Sequence, residues 1–521
     1  MPPTDAEKYS YLRGSQRRWI FPVQTAAFAG VAASLAGFAA NATWTLVFYL
    51  PLIVYAVEQA LALRTSTYPR RVTLQQHRAA IARWRPESHP SVDVFLPTAG
   101  EATELLENTY RYVKELRWPA RVRVYVLDDA GRREVRSLAE SFGFVYLART
   151  THEFKKAGNL KYGTDRSDGD LVAIFDADFV PRADFLTELV PYFDDPTVGI
   201  VQSPQYFGTS RRMNWVERAA GATQEMFYRF IQPSRDSVGA AICVGSCAVY
   251  RRTALEAIGG FPQVGHSEDV FTGVLMSRSG YRLRYVPVVV SKGICPDGIN
   301  TFITQQYRWC EGSMRLLTDD DFHVEQSMTL RQRMCFWSGF LYYVSTAVTV
   351  FLAPLPVIVM AVWFPSRVFA INMSPLLGAL VLWFVIYPLL FRARWRLEVL
   401  RVQALYSFAH ALSIVHLLKG RTAEWVPSHG SDRSRATSVA ATVRLVSTTY
   451  ILASQGLLLV LLTARSLEYG VTHYWATDAF ALVYAVVLLP VAGEGLAGMR
   501  RERLAARTGA KHGQAHAERA A

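Results

Sequence analysis

Six apolar stretches bracket one long segment in which short apolar runs alternate with amphipathic ones. The apolar stretches cover residues 20–40, 43–63, 336–364, 369–391, 439–462 and 477–496. Each approaches the roughly 20 residues that a helix needs to cross a bilayer. Glu58 and Glu494 fall near span ends, where a charge costs less than at the centre, and an interfacial position accounts for both. Between the second and third spans, residues 93–96, 122–127, 144–147, 171–175 and 198–201 read as short buried strands. Residues 101–116, 132–142 and 183–193 carry helical periodicity between them. Strands alternating with helices predict a parallel sheet covered on both faces. Ligands in such folds bind beyond the carboxyl ends of the strands. Residues 395–419 have apolar positions at helical spacing interleaved with Arg and His, which predicts a helix lying flat at the membrane surface.

The predicted organisation is therefore a tail over 1–19, two spans within 20–65, an α/β domain over 66–330 and two spans within 331–391. An interfacial helix and loop over 392–438, two spans within 439–498 and a tail over 499–521 complete it. Composition agrees with this division, since 51% of the 521 residues are hydrophobic and 19% charged. The net charge of +13 reads as cytoplasmic loops rather than as a nucleic-acid surface, because the basic residues cluster beside apolar runs. The loops after the first, third and fifth spans are poor in Lys and Arg, while the segments on the other side are rich in them. That asymmetry puts the α/β domain and both termini in the cytoplasm, as expected of an inner-membrane protein. The basic start before residue 20 has the flavour of a signal peptide, but the apolar run is too long for one and predicts a retained span. Cys243, Cys247, Cys295, Cys310 and Cys335 show no zinc spacing and are expected to be reduced core thiols.

Several polar motifs fall where ligands would bind. Asp128-Asp129 ends one predicted strand, and a carboxylate there suits a nucleobase or ribose, though strands often end in aspartate. Asp176-Ala177-Asp178 follows another strand. Two carboxylates on a turn suit a hard divalent cation, or simply cap the turn. Lys156-Ala157-Gly158-Asn159 opens a predicted helix, a place that favours phosphate. Ser267-Glu268-Asp269 offers a helix N-cap or, in Asp269, a general base. In Gln305-Gln306-Tyr307-Arg308-Trp309, the indole suits a sugar face and Arg308 a diphosphate, while a membrane-interface anchor is the plainer reading.

Taken in order, these motifs resemble the processive family 2 glycosyltransferases, above all the catalytic subunit of cellulose synthase. That family carries a D, D-x-D, T/S-E-D, Q-x-x-R-W series, matched here by Asp128, Asp176/Asp178, Ser267-Glu268-Asp269 and Gln305…Arg308-Trp309. Lys156 to Leu160 resembles its K-A-G-N-L segment. Cys243 to Ser246 with Arg251-Arg252 resembles its acceptor-channel segment, and Pro97 to Glu101 its first nucleotide-binding loop. The resemblance covers about residues 90–320.

The resemblance implies a multi-span α-helical membrane protein with a cytoplasmic GT-A-like α/β glycosyltransferase domain. Glu101 and Asp128 would hold uridine, Lys156 the diphosphate, Asp176 the nucleotide, and Asp178 with Asp176 a divalent cation, Mg2+ or alternatively Mn2+. Asp269 would be the base, with Gln305, Arg308 and Trp309 binding substrate. The implied partners are a UDP-sugar, with UDP-glucose first, a growing β-linked polysaccharide, the bilayer and accessory export proteins.

The chain departs from the pattern in two places. The 422–435 loop lacks the family's F-x-V-T-x-K gating pattern, and Arg503…Arg507 has the spacing of a cyclic-di-GMP receptor motif without its partner. Six spans are also fewer than bacterial cellulose synthase usually carries. Two rivals stand beside this reading: transfer of a single sugar to a lipid or short acceptor, and a transporter with a regulatory middle domain.

Overall fold

A computed structural model describes residues 1–13, 17–40, 43–265, 267–324, 327–393, 395–421 and 438–520, with side chains up to 504. The 422–435 loop and the side chain of Arg507 lie outside the described part.

The α/β domain is built on strands β1 (Val92–Thr98), β2 (Val122–Asp128), β3 (Val145–Ala148), β4 (Leu171–Ile174), β5 (Phe179–Pro181), β6 (Val198–Gln202), β7 (Tyr206–Phe207), β8 (Ala248–Arg251), β9 (Arg282–Tyr285) and β10 (Ser291–Gly293). Its helices include α1 (Thr103–Lys114), α2 (Arg133–Ser141), α3 (Lys155–Thr164), α4 (Trp215–Met226), α5 (Glu268–Arg278) and α6 (Ile299–Leu317). A further helix, α7, spans Leu397–Leu418.

The main sheet has the order β3-β2-β1-β4-β8-β6-β9, and a second sheet has the order β5-β10-β7. Strands β3, β2, β1 and β4 are parallel, whereas β8 runs antiparallel to both β4 and β6. The sheet is thus mixed, where the strand pattern predicts an all-parallel one. All five predicted strands form, but β8 arises from a run whose apolar stretch is too short to separate from its surroundings by periodicity. Strand β1 is buried along its whole length, as a central strand covered on both faces requires. Its one acid, Asp93, accepts from the Arg252 guanidinium at 3.0 Å and from the Gly169 amide at 2.5 Å, so a fully buried charge is paired.

The register puts Thr98 opposite Asp128 and Asp128 opposite Ala148. The carboxyl ends of β1, β2 and β3 therefore share one edge. Antiparallel β8 begins there too, since Ala248 pairs with Ile174. The loops that leave β1, β2, β3 and β4 at this edge carry the Pro97–Glu101, Asp128-Asp129, Lys156–Leu160 and Asp176–Asp178 motifs.

Among the described residues six helices are long and apolar enough to cross a membrane: Ile20–Ala39, Thr43–Ser66, Leu330–Trp363, Ala370–Leu390, Ser438–Tyr469 and Val471–Leu504. They match the six predicted spans within a few residues at most ends. The third, fifth and sixth run longer, because the helices continue beyond their apolar cores. Close approach between spans uses small residues. A Cβ at Gly30 would overlap the Pro375 carbonyl, and one at Gly495 would overlap Thr448 Oγ1.

Trp44 packs edge-on against Trp363 and stacks on Phe364 at the loop ends remote from the sheet domain. Aromatic side chains gather in this way at a bilayer boundary. Helix α7 packs on α6, α4 and the third span, burying Val399, Val402, Leu405 and Ala409.

The first residues form part of the domain. Lys8 Nζ lies 2.5 Å from Glu188 and 2.7 Å from Asp184, and the Val289 amide donates to the Lys8 carbonyl. Glu188 also receives His77 Nε2 at 2.6 Å. At the other end of the chain, Arg444 bridges Asn300 of α6 and Glu502. The amino-terminal segment and these ends of the fifth and sixth spans thus lie on the sheet domain's side.

Removing one member of a buried charge cluster leaves the others unpaired and costs about 3–5 kcal/mol. Glu188→Ala is accordingly expected to lower the thermal midpoint. It should also expose the segment around Lys8 and Arg13 to trypsin, a change seen as early cleavage on limited proteolysis.

Candidate active site

The carboxyl edge of the main sheet opens into a cavity of about 1030 Å³ that continues among the membrane-length helices. Its sheet end is walled by Glu101, Lys156, Asp176, Asp178, Asp269 and Trp309, among others. Its other end is walled by aromatic side chains, including Tyr55, Tyr342, Trp383, Tyr406 and Phe480, together with aliphatic and small polar ones.

Asp176 and Asp178 sit on a tight turn closed by the Phe179 amide bonding to the Asp176 carbonyl at 3.0 Å. Ala177 between them is buried, and Thr109 donates to its carbonyl at 2.6 Å. The i, i+2 spacing turns both carboxylates toward the cavity while the apolar residue faces the core. Ser246 receives the Asp176 amide at 2.9 Å and so ties this turn to the start of β8.

Lys156 reaches over from the first turn of α3. Its Nζ is 2.5 Å from Asp176 Oδ1 and 3.8 Å from Glu268 Oε1. Burial opposes its charge, but Asp176, Glu268 and Asp269 more than offset that, and the ammonium is held above the ordinary lysine value. Burial pushes the Asp176 carboxyl up to about 6; Lys156 opposes the shift and Asp178 adds to it. Asp269 is pushed up to about 7, first by burial and then by Glu268, with Lys156 pulling the other way. A carboxylate in that range is suited to taking a proton near neutral pH.

Two backbone features set Asp269. Gly245 has φ +71°, and a Cβ there would stand 2.9 Å from the Asp269 carboxylate. Ser267 is itself left-handed at φ +58° and nests against Gly312 of α6, where a Cβ would overlap its Oγ. The acidic motif and the aromatic motif are therefore pressed together by a glycine that no side chain can replace. On α6, Gln305, Arg308 and Trp309 stand at i, i+3 and i+4, so one face presents all three to the cavity. Burial draws the Arg308 guanidinium below its usual value, against the pull of Asp176, Glu268 and Asp178. The opposite face carries Tyr307, whose hydroxyl meets His416 of α7 at 2.9 Å.

Of the residues singled out from sequence, Glu101, Lys156, Asp176, Asp178, Asp269, Gln305, Arg308 and Trp309 come together on one cavity. Asp128 does not reach its wall. It is fully buried, and its carboxylate accepts from the Ala130 and Arg132 amides and from the Tyr146 hydroxyl at 3.1, 2.7 and 2.9 Å. Asp129 lines the cavity instead, paired with Arg149 at 2.5 Å. Successive strand residues point to opposite sides, so one of two adjacent aspartates had to turn inward.

Arg251 and Arg252 also stand apart. They bond to the carbonyls of Phe193, Val198 and Gly169 and to Asp93, holding strand ends together. Glu268 and Asp129, which the motifs contain but to which the sequence assigns no separate role, also line the cavity, as does Arg235, which lies in no motif.

Among the described residues no three His, Cys, Asp or Glu side chains converge as a preformed metal cage. Asp176 and Asp178 supply two carboxylates on one turn. That donor set fits a hard divalent ion which keeps its waters and takes further oxygens from a phosphate.

Part of the chain is similar to known proteins. Residues 171–393 match the family described as "Glycosyl transferase family group 2". The cellulose synthase catalytic subunit (UDP-forming) of Xanthomonas axonopodis pv. citri is 32% identical over 260 residues, 49% of this chain and 36% of that protein. The corresponding subunit of Pseudomonas fluorescens is 30% identical over 307 residues, 58% of this chain and 41% of its own length. Cellulose synthase 1 of Komagataeibacter xylinus is 33% identical over 259 residues, which cover 49% of this chain and 17% of that protein. The chain thus spans less than half the length of these relatives. Among solved structures, a mannosyltransferase of Pyrobaculum calidifontis in complex with GDP-Man and Mn2+ aligns with TM-score 0.47 and 20% identity, covering 71% of this chain and all of that one.

A methyl group at position 245 meets both an unfavourable φ and the Asp269 carboxylate. Left-handed backbone at a non-glycine residue costs about 1–3 kcal/mol. Gly245→Ala is expected to lose stability on that scale, read as a fall in the thermal midpoint of the purified protein. Gly259→Ala, which adds strain without a nearby atom, should lose less.

Proposed function

We propose that this chain, with its match to glycosyl transferase family group 2, its likeness to cellulose synthase catalytic subunits and six candidate membrane helices among the described residues, is a cellulose synthase-like family 2 glycosyltransferase that polymerises a β-linked polysaccharide from a UDP-sugar. UDP-glucose is the first donor to test. The observation that carries the reading is the single cavity joining the acid cluster to an aromatic-lined space among the spans. Aromatic faces hold sugars by stacking, with little directional cost, and so let a chain of them slide.

In this reading the nucleotide lies along the carboxyl edge of β1 and β2. Glu101 and Asp129 face it, and Asp128 keeps the loop in shape from behind. Lys156 and Arg308 receive the diphosphate, their charges already poised beside Asp176 and Glu268. Asp176 and Asp178 would hold a divalent cation, Mg2+ or Mn2+, which when bound offsets negative charge on the departing diphosphate.

Trp309 stacks on the terminal sugar of the acceptor, with Gln305 beside it, and so aims one hydroxyl at the anomeric carbon. Asp269 takes that hydroxyl's proton as the new carbon–oxygen bond forms. The anomeric carbon–oxygen bond to the diphosphate breaks on the opposite face, and UDP leaves. Configuration inverts, and an α-linked donor yields a β-linked product. The lengthened chain then moves along the cavity toward the spans. The Lys and Arg asymmetry of the loops supports placing the domain and both termini in the cytoplasm of an inner-membrane protein.

Membrane vesicles given radiolabelled UDP-glucose with Mg2+ are expected to make high-molecular-weight β-glucan. A product one sugar longer than its acceptor would instead favour single transfer to a lipid or short acceptor. Loss of a general base typically costs about 10²–10⁴-fold in rate, and Asp269→Asn should fall in that range; near-native turnover would refute its assignment.

A base must be ionised to accept a proton, so kcat/KM should drop as pH falls through the raised value of Asp269, about 7. Glu268 helps to raise it. Glu268→Gln should therefore shift the acidic limb of the pH profile to lower pH.

A further inference from the structure

Arg235 belongs to the short Gln232–Asp236 helical turn that follows α4, and it is 5% exposed. It lines the cavity, with its guanidinium lying over Gly339 of the third span, where a Cβ would come within 3.4 Å of Nη2. Its Nε is buried without a hydrogen-bond partner. Among the described residues no carboxylate pairs with it, and the neighbouring acids are already engaged. Asp236 accepts from Arg284 and from the Tyr285 amide at 3.1 and 2.8 Å, and Glu225 is paired with Arg229. The side chains that bear on Arg235 electrostatically are Cys335 and Tyr343, both on the third span. Every other cationic group described above at the sheet end has a carboxylate beside it.

A buried guanidinium without a counter-charge is costly and is retained where something repays the cost. Its planar fork of donors matches a carboxylate or phosphate better than a single hydroxyl. The diphosphate of the donor is not the partner that this position suits. Arg308 feels Asp176, Asp178 and Glu268, whereas none of these is among the groups bearing on Arg235. Arg235 stands instead at Gly339 of the third span, next to Ser338 in the chain and near Tyr343, hydroxyl-bearing residues that line the same cavity. Hydroxyls and an aromatic ring around one cation make a surface for an acidic sugar or a phosphate-bearing end, and not for a lipid tail.

We propose that Arg235 binds an oxyanion, a carboxylate or a phosphate, carried by the acceptor between the acid cluster and the spans. This rests on the transferase reading above and narrows its acceptor to a charged one.

The test uses the full-length protein in detergent and compares matched probes by calorimetry. One pair is a glucuronate-containing oligosaccharide and a neutral gluco-oligosaccharide of equal length; the other is a polyprenyl phosphate and the corresponding polyprenol. A charged hydrogen-bond partner is expected to bind about tenfold or more tightly than its neutral twin. Preference within the first pair identifies an acidic sugar, and preference within the second a phosphate-ended lipid. Arg235→Gln should erase the preference, with a thermal midpoint at or above that of the native protein, because an unpaired buried charge has been removed.

Equal binding within both pairs by the native protein overturns the proposal without recourse to any variant. So does a preference that survives in Arg235→Gln. UDP release from a screen of nucleotide sugars by the native protein reports on the transferase reading separately. Release without any charge preference overturns only the role of Arg235. A charge preference with no release from any donor overturns the transferase reading and with it the naming of the ligand as an acceptor.

Discussion

The ammonium of Lys156 is the charge on which the site depends. It stands 2.5 Å from Asp176 and 3.8 Å from Glu268, and it pulls down the proton affinity of Asp269 as well. Three carboxylates cannot be buried in one cavity as anions unless a cation shares the space. Lys156 is placed there by the first turn of α3, and α3 is placed by the edge of β2, since Asn159 donates to the Leu127 carbonyl at 2.7 Å. In the proposed reading the same cation that balances the acids would also meet the donor's diphosphate.

Around that pair the fold sets its distances by close packing. Gly245 leaves room for the Asp269 carboxylate, and Gly312 lets Ser267 sit directly on α6. The second contact fixes the acids relative to Trp309, which lies on the same helix. Helix α6 is in turn held by Asn300 to Arg444 of the fifth span and by Tyr307 to His416 of α7. A shift of the membrane helices would therefore be felt at the indole before it was felt at the sheet. One cavity is lined by residues of both parts.

Charge is distributed along that cavity in a graded way. The sheet end mixes acids and bases in compensated groups, and the region beyond is aromatic with scattered hydroxyls. Arg235 and Glu58 interrupt the grading. Arg235 shows what sequence reading missed: an arginine in a short helical turn looks like any solvated charge until tertiary packing closes the third span over it. Asp128 makes the reverse point. It stood out in the sequence, yet its carboxylate is consumed by the loop it caps, and its neighbour Asp129 takes the exposed place.

Local pattern was enough for the six spans and for the strands β1, β2, β3, β4 and β6, because hydrophobic runs and their periods report burial directly. The order of the acidic and aromatic motifs was also legible, since each sits at the end of an element whose period is clear. The antiparallel course of β8 was not, because strand direction is set by which neighbours pair and leaves no mark on a four-residue run. The packing of α7 against α6, α4 and the third span depended on which surfaces happened to be vacant, and amphipathic spacing alone suggested only a membrane surface. The elevated proton affinity of Asp269 and the uncompensated charge of Arg235 were likewise decided in three dimensions. Proton affinity and charge balance depend on distances between residues far apart in the chain, and sequence order carries no measure of those distances.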